Sequence, residues 1–174
     1  TIQKLEALKQ TWFLTNQDEK IKNFNWFIIT AILRTTSPVG TAQWQSIQPN
    51  NTKSKVIDPF VAFESKVNEM YLDMKRTQNR FKDVVNSIIL YEDSRNIESI
   101  PDGWGDLVIT SPPYANNYDY ADATRLEMTF WGDISGWADL QENVRKHLVR
   151  ACTQHVSKLG DSIDSILENP RLDI

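Results

Sequence analysis

A tetrapeptide, Ser111-Pro112-Pro113-Tyr114, sets a hydroxyl, two prolines and an aromatic ring directly after the apolar run Asp106-Leu-Val-Ile-Thr110. Proline has no N–H and a fixed φ, so two in succession end a strand ladder and hold the backbone extended. The carbonyls of Ser111 and Pro112 are then uncommitted to a ladder and available to a ligand. Ser111 adds a hydroxyl acceptor, and Tyr114 offers a flat surface for stacking. Together these groups make a socket for a flat molecule that bears an amino group. The exocyclic amine of cytosine or adenine is such a group, and its lone pair is delocalised into the ring. Acceptors for both N–H protons favour the pyramidal amine and release the lone pair for attack on an electrophilic methyl group. A base in a duplex reaches a socket of this kind only by rotating out of the stack. The competing structural reading is a rigid loop that ends a strand, with Tyr114 packed as its cap.

The surrounding elements must position that loop. Ile2, Leu5, Leu8, Trp12 and Phe13 fall at helical intervals, and Ile21, Phe24, Ile28, Ala31 and Ile32 repeat the pattern after the Asn16-Gln-Asp turn. Residues 35–55 read as a polar loop broken by Pro38, Gly40 and Pro49. A third helix is expected from Pro59 toward Arg80, with Asp58 as its N-cap and Pro59 at its first position. The period then shortens: Ser87-Ile-Ile-Leu-Tyr91 and Asp106-Leu-Val-Ile-Thr110 read as buried, parallel strands joined by a connection containing Pro101 and Gly103. Trp137, Leu140, Val144, Leu148, Cys152 and Val156 describe one face of a further helix, and a short amphipathic piece follows near Ile163 to Leu167. The aromatic residues of the first three helices read most simply as core.

Composition narrows the function classes. Forty per cent of the 174 residues are hydrophobic and 24% are charged, which is the balance of a soluble globular chain and not of a disordered one. A net charge of −4 and a pI near 5.2 argue against self-sufficient nucleic-acid binding, which rests on clustered Lys and Arg. No apolar stretch is long enough to span a bilayer and no secretory signal opens the chain, so a cytoplasmic location without membrane contact is expected. The single cysteine, Cys152, excludes an internal disulfide or a multi-cysteine zinc site. It reads as a buried thiol on a helix face. His147 and His155 read as solvated, and no spacing points to a metal ligand set. The chain opens on Thr1 without a tag or pro-segment pattern, and a piece of a longer protein is expected.

The stretch Asp106 to Tyr114, preceded by Tyr91-Glu-Asp-Ser-Arg95 and the Pro101-Asp-Gly turn, resembles the catalytic-motif region of amino-group DNA methyltransferases. In that family Ser-Pro-Pro-Tyr is typical of enzymes acting on cytosine N4, and Asp-Pro-Pro-Tyr of many acting on adenine N6. The resemblance covers roughly residues 88–132. It implies an α/β fold, a partial Rossmann-like methyltransferase sheet with a predominantly helical N-terminal region. It also implies the cofactor S-adenosylmethionine and double-stranded DNA as partner. Carried over residue by residue, it makes Ser111, Pro112, Pro113 and Tyr114 catalytic, with Ser111 and the Pro112 carbonyl on the amine and Tyr114 on the base. It places Asp93 near the adenosyl moiety, although a turn or capping role suits that residue as well. Asn116, Asn117, Tyr118, Asp119 and Tyr120 resemble the loop after the motif in a subgroup, with Arg125 and Trp131 beyond it.

One departure stands against this. The family's glycine-rich cofactor turn is missing: Val56-Ile-Asp-Pro-Phe60 begins like it but continues into a helix. The expected organisation is therefore a helical region over residues 1–85 and a partial catalytic region with C-terminal helices over 86–174. The remainder of the parent protein would carry the glycine turn. Lys53, Lys55, Lys75, Arg76, Arg80 and Lys82 are candidates for a DNA-facing surface, or simply a solvated one. The alternative function is a non-catalytic helical interaction module, or a subunit that retains a degenerate methyltransferase segment.

Overall fold

Helix α2, Glu19–Thr36, packs against an earlier helix and a later one. The Asp18 carboxylate accepts a hydrogen bond from the Lys20 N–H at 2.9 Å and so satisfies one of the unpaired donors at the helix start. Ile28, Ile29, Ile32 and Leu33 then fall on one stripe and are buried. The computed structural model describes residues 1–16, 18–38, 53, 55–82, 86–94, 96–111 and 118–148. By internal contacts the chain divides into two units, residues 1–63 with 113–174, and residues 64–112.

In the first unit α1, Ile2–Leu14, lies against α2. Leu5, Ile32, Leu33 and Ala62 form its principal core, with Leu8, Phe63, Leu126 and Phe130 packed at the margin. Ala62 comes from the first turns of α3, Pro59–Arg80. That helix starts as its sequence reads: Asp58 accepts from the Phe60 N–H at 3.0 Å, and Pro59, with no N–H to satisfy, is its first residue. The same carboxylate pairs with Lys4, tying the start of α3 to α1.

Three short helices follow among the described residues of this unit: α4, Tyr120–Ala123, α5, Arg125–Trp131, and α6, Trp137–Asn143, with a 3₁₀ turn at Arg145–His147. Helix α5 stops at Gly132, whose φ of 91° lets the Gly132 and Asp133 N–H groups both reach the Met128 carbonyl. Ala121, Ile134 and Leu140 make a second buried cluster beside Met128 and Val144. Trp131 joins α5 to the helical pair. Its ring meets Trp12 edge-on at 5.1 Å and stacks on Trp26 at 5.7 Å, while its indole N–H donates to Thr30 Oγ1 at 2.8 Å.

Three expectations are corrected. The α/β class is overturned: among the described residues every regular element is helical, and the partial Rossmann-like sheet is not formed. The segments 87–91 and 106–110 have no regular structure, and Ile89 and Val108 are 95% and 81% exposed. An apolar, β-branched run makes a strand only when a neighbour completes its ladder, and none of the described residues does so. The long C-terminal helix is also interrupted, because α6 ends at Asn143, Val144 leaves helical geometry (φ −126°, ψ −65°) and the 3₁₀ turn follows. Cys152, His155, Val156 and residues 163–167 lie outside the described residues. Finally, the aromatic residues of the first helices are mostly rim and not core, since Phe13, Trp26, Phe27 and Phe60 are exposed and the buried positions belong to Leu, Ile and Ala with Thr36 and Pro59.

The two kinds of apolar residue respond differently to truncation. Leu33→Ala is expected to lower stability by about 2–5 kcal/mol in a urea titration, the cost of a buried cavity. Ile89→Ser is expected to stay within about 0.5 kcal/mol of the parent chain, as a fully exposed site should.

Candidate functional site

The residues singled out for chemistry are placed unevenly. Ser111 is exposed and outside any regular element, whereas Pro112, Pro113 and Tyr114 lie outside the described residues. Asp93 is exposed in a turn in which its carbonyl accepts the Asn96 N–H at 2.9 Å.

Within the second unit, Asp93 shares a shallow cleft with Glu92, Asn96, Glu98 and Ser99. Glu92 folds the segment over itself, because one carboxylate oxygen accepts from the Glu98 N–H at 2.9 Å and the Ser99 N–H at 3.2 Å. These bonds, the Ser99 hydroxyl foremost, hold the Glu92 carboxyl below its ordinary range. Ser99 also borders an open cleft of about 540 Å³ walled by Ile88, Leu90, Ile100, Pro101 and Trp104. The Pro101-Asp-Gly-Trp104 turn that presents Trp104 is closed by the Trp104 N–H on the Pro101 carbonyl at 3.2 Å. Gly103 takes φ 74°, the left-handed position this turn requires. The apolar cleft beside Trp104 suits a planar ring, and the separate cleft that shares Ser99 with it carries the carboxylates of Glu92, Asp93 and Glu98.

In the first unit the chain beyond Tyr114 re-enters described structure at Tyr118 and is fastened at Asp119. Asp119 serves two partners at once. Oδ1 caps α4 by accepting from the Ala121 and Asp122 N–H groups at 3.1 and 3.2 Å, and Arg145 spans the carboxylate, with Nη2 on Oδ2 at 2.6 Å and Nε on Oδ2 and Oδ1 at 3.1 and 3.4 Å. Both side chains are shut away from water, at 7% and 4% exposure. The Arg145 guanidinium lies 4.4 Å from the centre of the Trp137 ring, and Arg125 lies 5.0 Å from the same ring. Arg125 in turn pairs with Asp122 at 2.9 Å, which closes a ring of contacts back to the α4 cap. A second guanidinium, Arg34, holds the other end of α4. It donates to the Ala123 carbonyl and, at 2.6 and 3.2 Å, to the Glu127 carboxylate. The Glu127 hydrogen bonds raise the Arg34 pKa against the opposing effect of burial.

Sequence reasoning had placed Asp119 only by resemblance and had not singled out Arg145. The Asp119-x-x pattern before a helix is a legible cap signal. The 26-residue separation of the pair leaves no local trace. Among the described residues no group of three or more His, Cys, Asp and Glu side chains is placed to hold a metal ion, and no helix is long and apolar enough to cross a membrane. Comparison with protein families, with curated proteins and with solved structures finds no match.

The folded 92–99 segment makes a pH prediction. A carboxyl whose pKa falls on folding contributes stability above the unfolded Glu value, about 4.3, and loses it as pH drops through the lower folded value. In a carboxyl-carbon NMR titration Glu92 should titrate below the ordinary glutamate value, and Ser99→Ala should return it toward that value.

Proposed function

We propose that this chain is a piece of a site-specific DNA methyltransferase that carries the residues binding the exocyclic amine of a flipped base, with cytosine N4 as the leading target. The observation that carries the reading is the order of four features along the sequence: Tyr91-Glu-Asp-Ser, the Pro101-Asp-Gly turn, Asp106–Thr110, then Ser111-Pro-Pro-Tyr114. It rests on that order and on the chemistry of the tetrapeptide, and it requires no sheet among the described residues. Ser111 and the Pro112 carbonyl take the two amine protons as hydrogen bonds, and Tyr114 stacks on the base. Pro112 and Pro113 keep the acceptors from turning into a ladder or helix.

S-adenosylmethionine supplies the electrophilic methyl group. The residues of the second unit suit its adenosyl half, with Trp104, Ile88 and Leu90 beside the ring and Asp93 or Glu98 accepting from ribose hydroxyls. Nothing described replaces the glycine-rich turn, so the remainder of the parent protein is proposed to hold the rest of the cofactor. Double-stranded DNA is the proposed partner and the cytoplasm the proposed location.

A second reading, a helical interaction module that keeps a degenerate segment, is favoured by the absent glycine turn and by the helical character of the described elements. Transfer of labelled methyl from S-adenosylmethionine to DNA by the full-length parent separates the two. Methylcytosine is expected from the wild type. Ser111→Ala and Tyr114→Ala should each lower kcat by about 10²- to 10³-fold, the usual loss for a preorganised polar contact to the reacting group. Absence of transfer by the wild type would favour the module.

A further inference from the structure

We propose that the first unit carries a binding pocket for a compact hydrophobic amine, a ring-sized apolar body bearing one protonated amino group. The pocket is built from residues of that unit alone and does not depend on the methyltransferase reading. It opens where three helices meet without closing on one another. The first turns of α1 supply Ile2 and Leu5, the end of α2 supplies Leu33, and the second half of α5 supplies Leu126 and Phe130. Leu5 and Leu33 are buried, so the pocket reaches the principal core. Helix α2 does not run on to fill the space, because Ser37 at its C-cap is extended (φ −80°, ψ 134°) and Pro38 follows. About 270 Å³ is left. An apolar cavity of roughly 150 Å³ already holds benzene, so this one accepts a ring with a short substituent.

The polar lining decides the head group. Glu6 is the one charged side chain among the lining residues, with hydroxyls of Ser37 and Thr129 beside the apolar walls. The lysines of α1 are committed elsewhere: Lys4 pairs with Asp58, and Lys9 donates to the Phe130 carbonyl and lies over the Phe130 ring at 5.1 Å. Glu6 Oε1 accepts from Gln10 Nε2 at 2.6 Å, and among the described residues no cation pairs with this carboxylate. An amide donor leaves the carboxylate charge unmatched. A molecule with an apolar body and an ammonium group is therefore complemented at both ends, by the Leu, Ile and Phe walls and by Glu6. A neutral analogue gains only the burial of its body, and an anionic one is repelled by the same carboxylate.

The test titrates 2-phenylethylamine and its uncharged analogue 2-phenylethanol into the full-length protein at neutral pH, by calorimetry and by methyl NMR. The amine should bind with a Kd of about 0.1–1 mM, the range expected for so few atoms. It should bind about three- to tenfold tighter than the alcohol and shift the methyl signals of Ile2, Leu5, Leu33 and Leu126. Glu6→Gln should bring the amine down to the affinity of the alcohol and leave the alcohol unchanged. Thr129→Trp, which sets a ring at the mouth, should weaken both ligands by more than about tenfold. Glu6 and Thr129 are both exposed, so neither change removes a core contact, and circular dichroism checks that each variant is folded. If Thr129→Trp does not fold, Glu6→Gln and the methyl shifts still decide. No saturable binding of either compound below about 5 mM would overturn the proposal. Equal affinity for amine and alcohol in the wild type would overturn it too, as would methyl shifts confined to residues outside the pocket.

Discussion

A carboxylate and a guanidinium enclosed together, Asp119 with Arg145, constrain everything around them, because neither can remain in the interior without the other. The constraint reaches outward through contacts made by the same two side chains. Asp119 starts α4 by capping it, and Arg145 leans on Trp137 at the first position of α6. The apolar cluster of Ala121, Ile134 and Leu140 is assembled from the elements these two residues hold. Short helices of four and seven residues have almost no stability of their own. Their existence here follows from caps, ion pairs and the shared core, and not from helical propensity.

Helix α2 plays the complementary part on the other side of the same unit. Its buried stripe supplies the core, while Arg34 at its last turn reaches α4 and α5 together. Thr30 on the same helix receives the Trp131 indole. The two ends of α4 are thus held by different mechanisms, Asp119 with Arg145 at one and Arg34 with Glu127 at the other.

The residues 86–111 are organised differently. Apolar side chains such as Ile88, Ile89, Val108 and Ile109 face solvent, while the order present comes from local hydrogen bonds: Glu92 on Glu98 and Ser99, and the Pro101–Trp104 turn. Local polar bonds of this sort close turns without needing a core. They are enough to bring Trp104 and the carboxylates of Glu92, Asp93 and Glu98 to adjoining clefts, and not enough to bury the apolar runs.

The sequence by itself determined what depends on neighbours in the chain. Helices α1, α2 and α3 follow from the spacing of Leu5, Ile28, Ile32 and Phe63, the start of α3 from Asp58 with Pro59, and the turn at Gly103 from glycine's access to positive φ. The proposed chemistry of Ser111-Pro-Pro-Tyr114 rests on the sequence alone, in four adjacent residues. Tertiary structure decided the rest. Whether Ser87–Tyr91 and Asp106–Thr110 became strands depended on a partner for their ladders, and hydrophobicity and β-branching carry no information about that partner. The break at Val144 likewise went against an unbroken apolar period, and Arg145 beyond it is drawn to a carboxylate 26 residues earlier. A residue's own type fixes what it can bond. Which distant group it meets is settled only when the chain has closed and the alternatives have been shut out with the water.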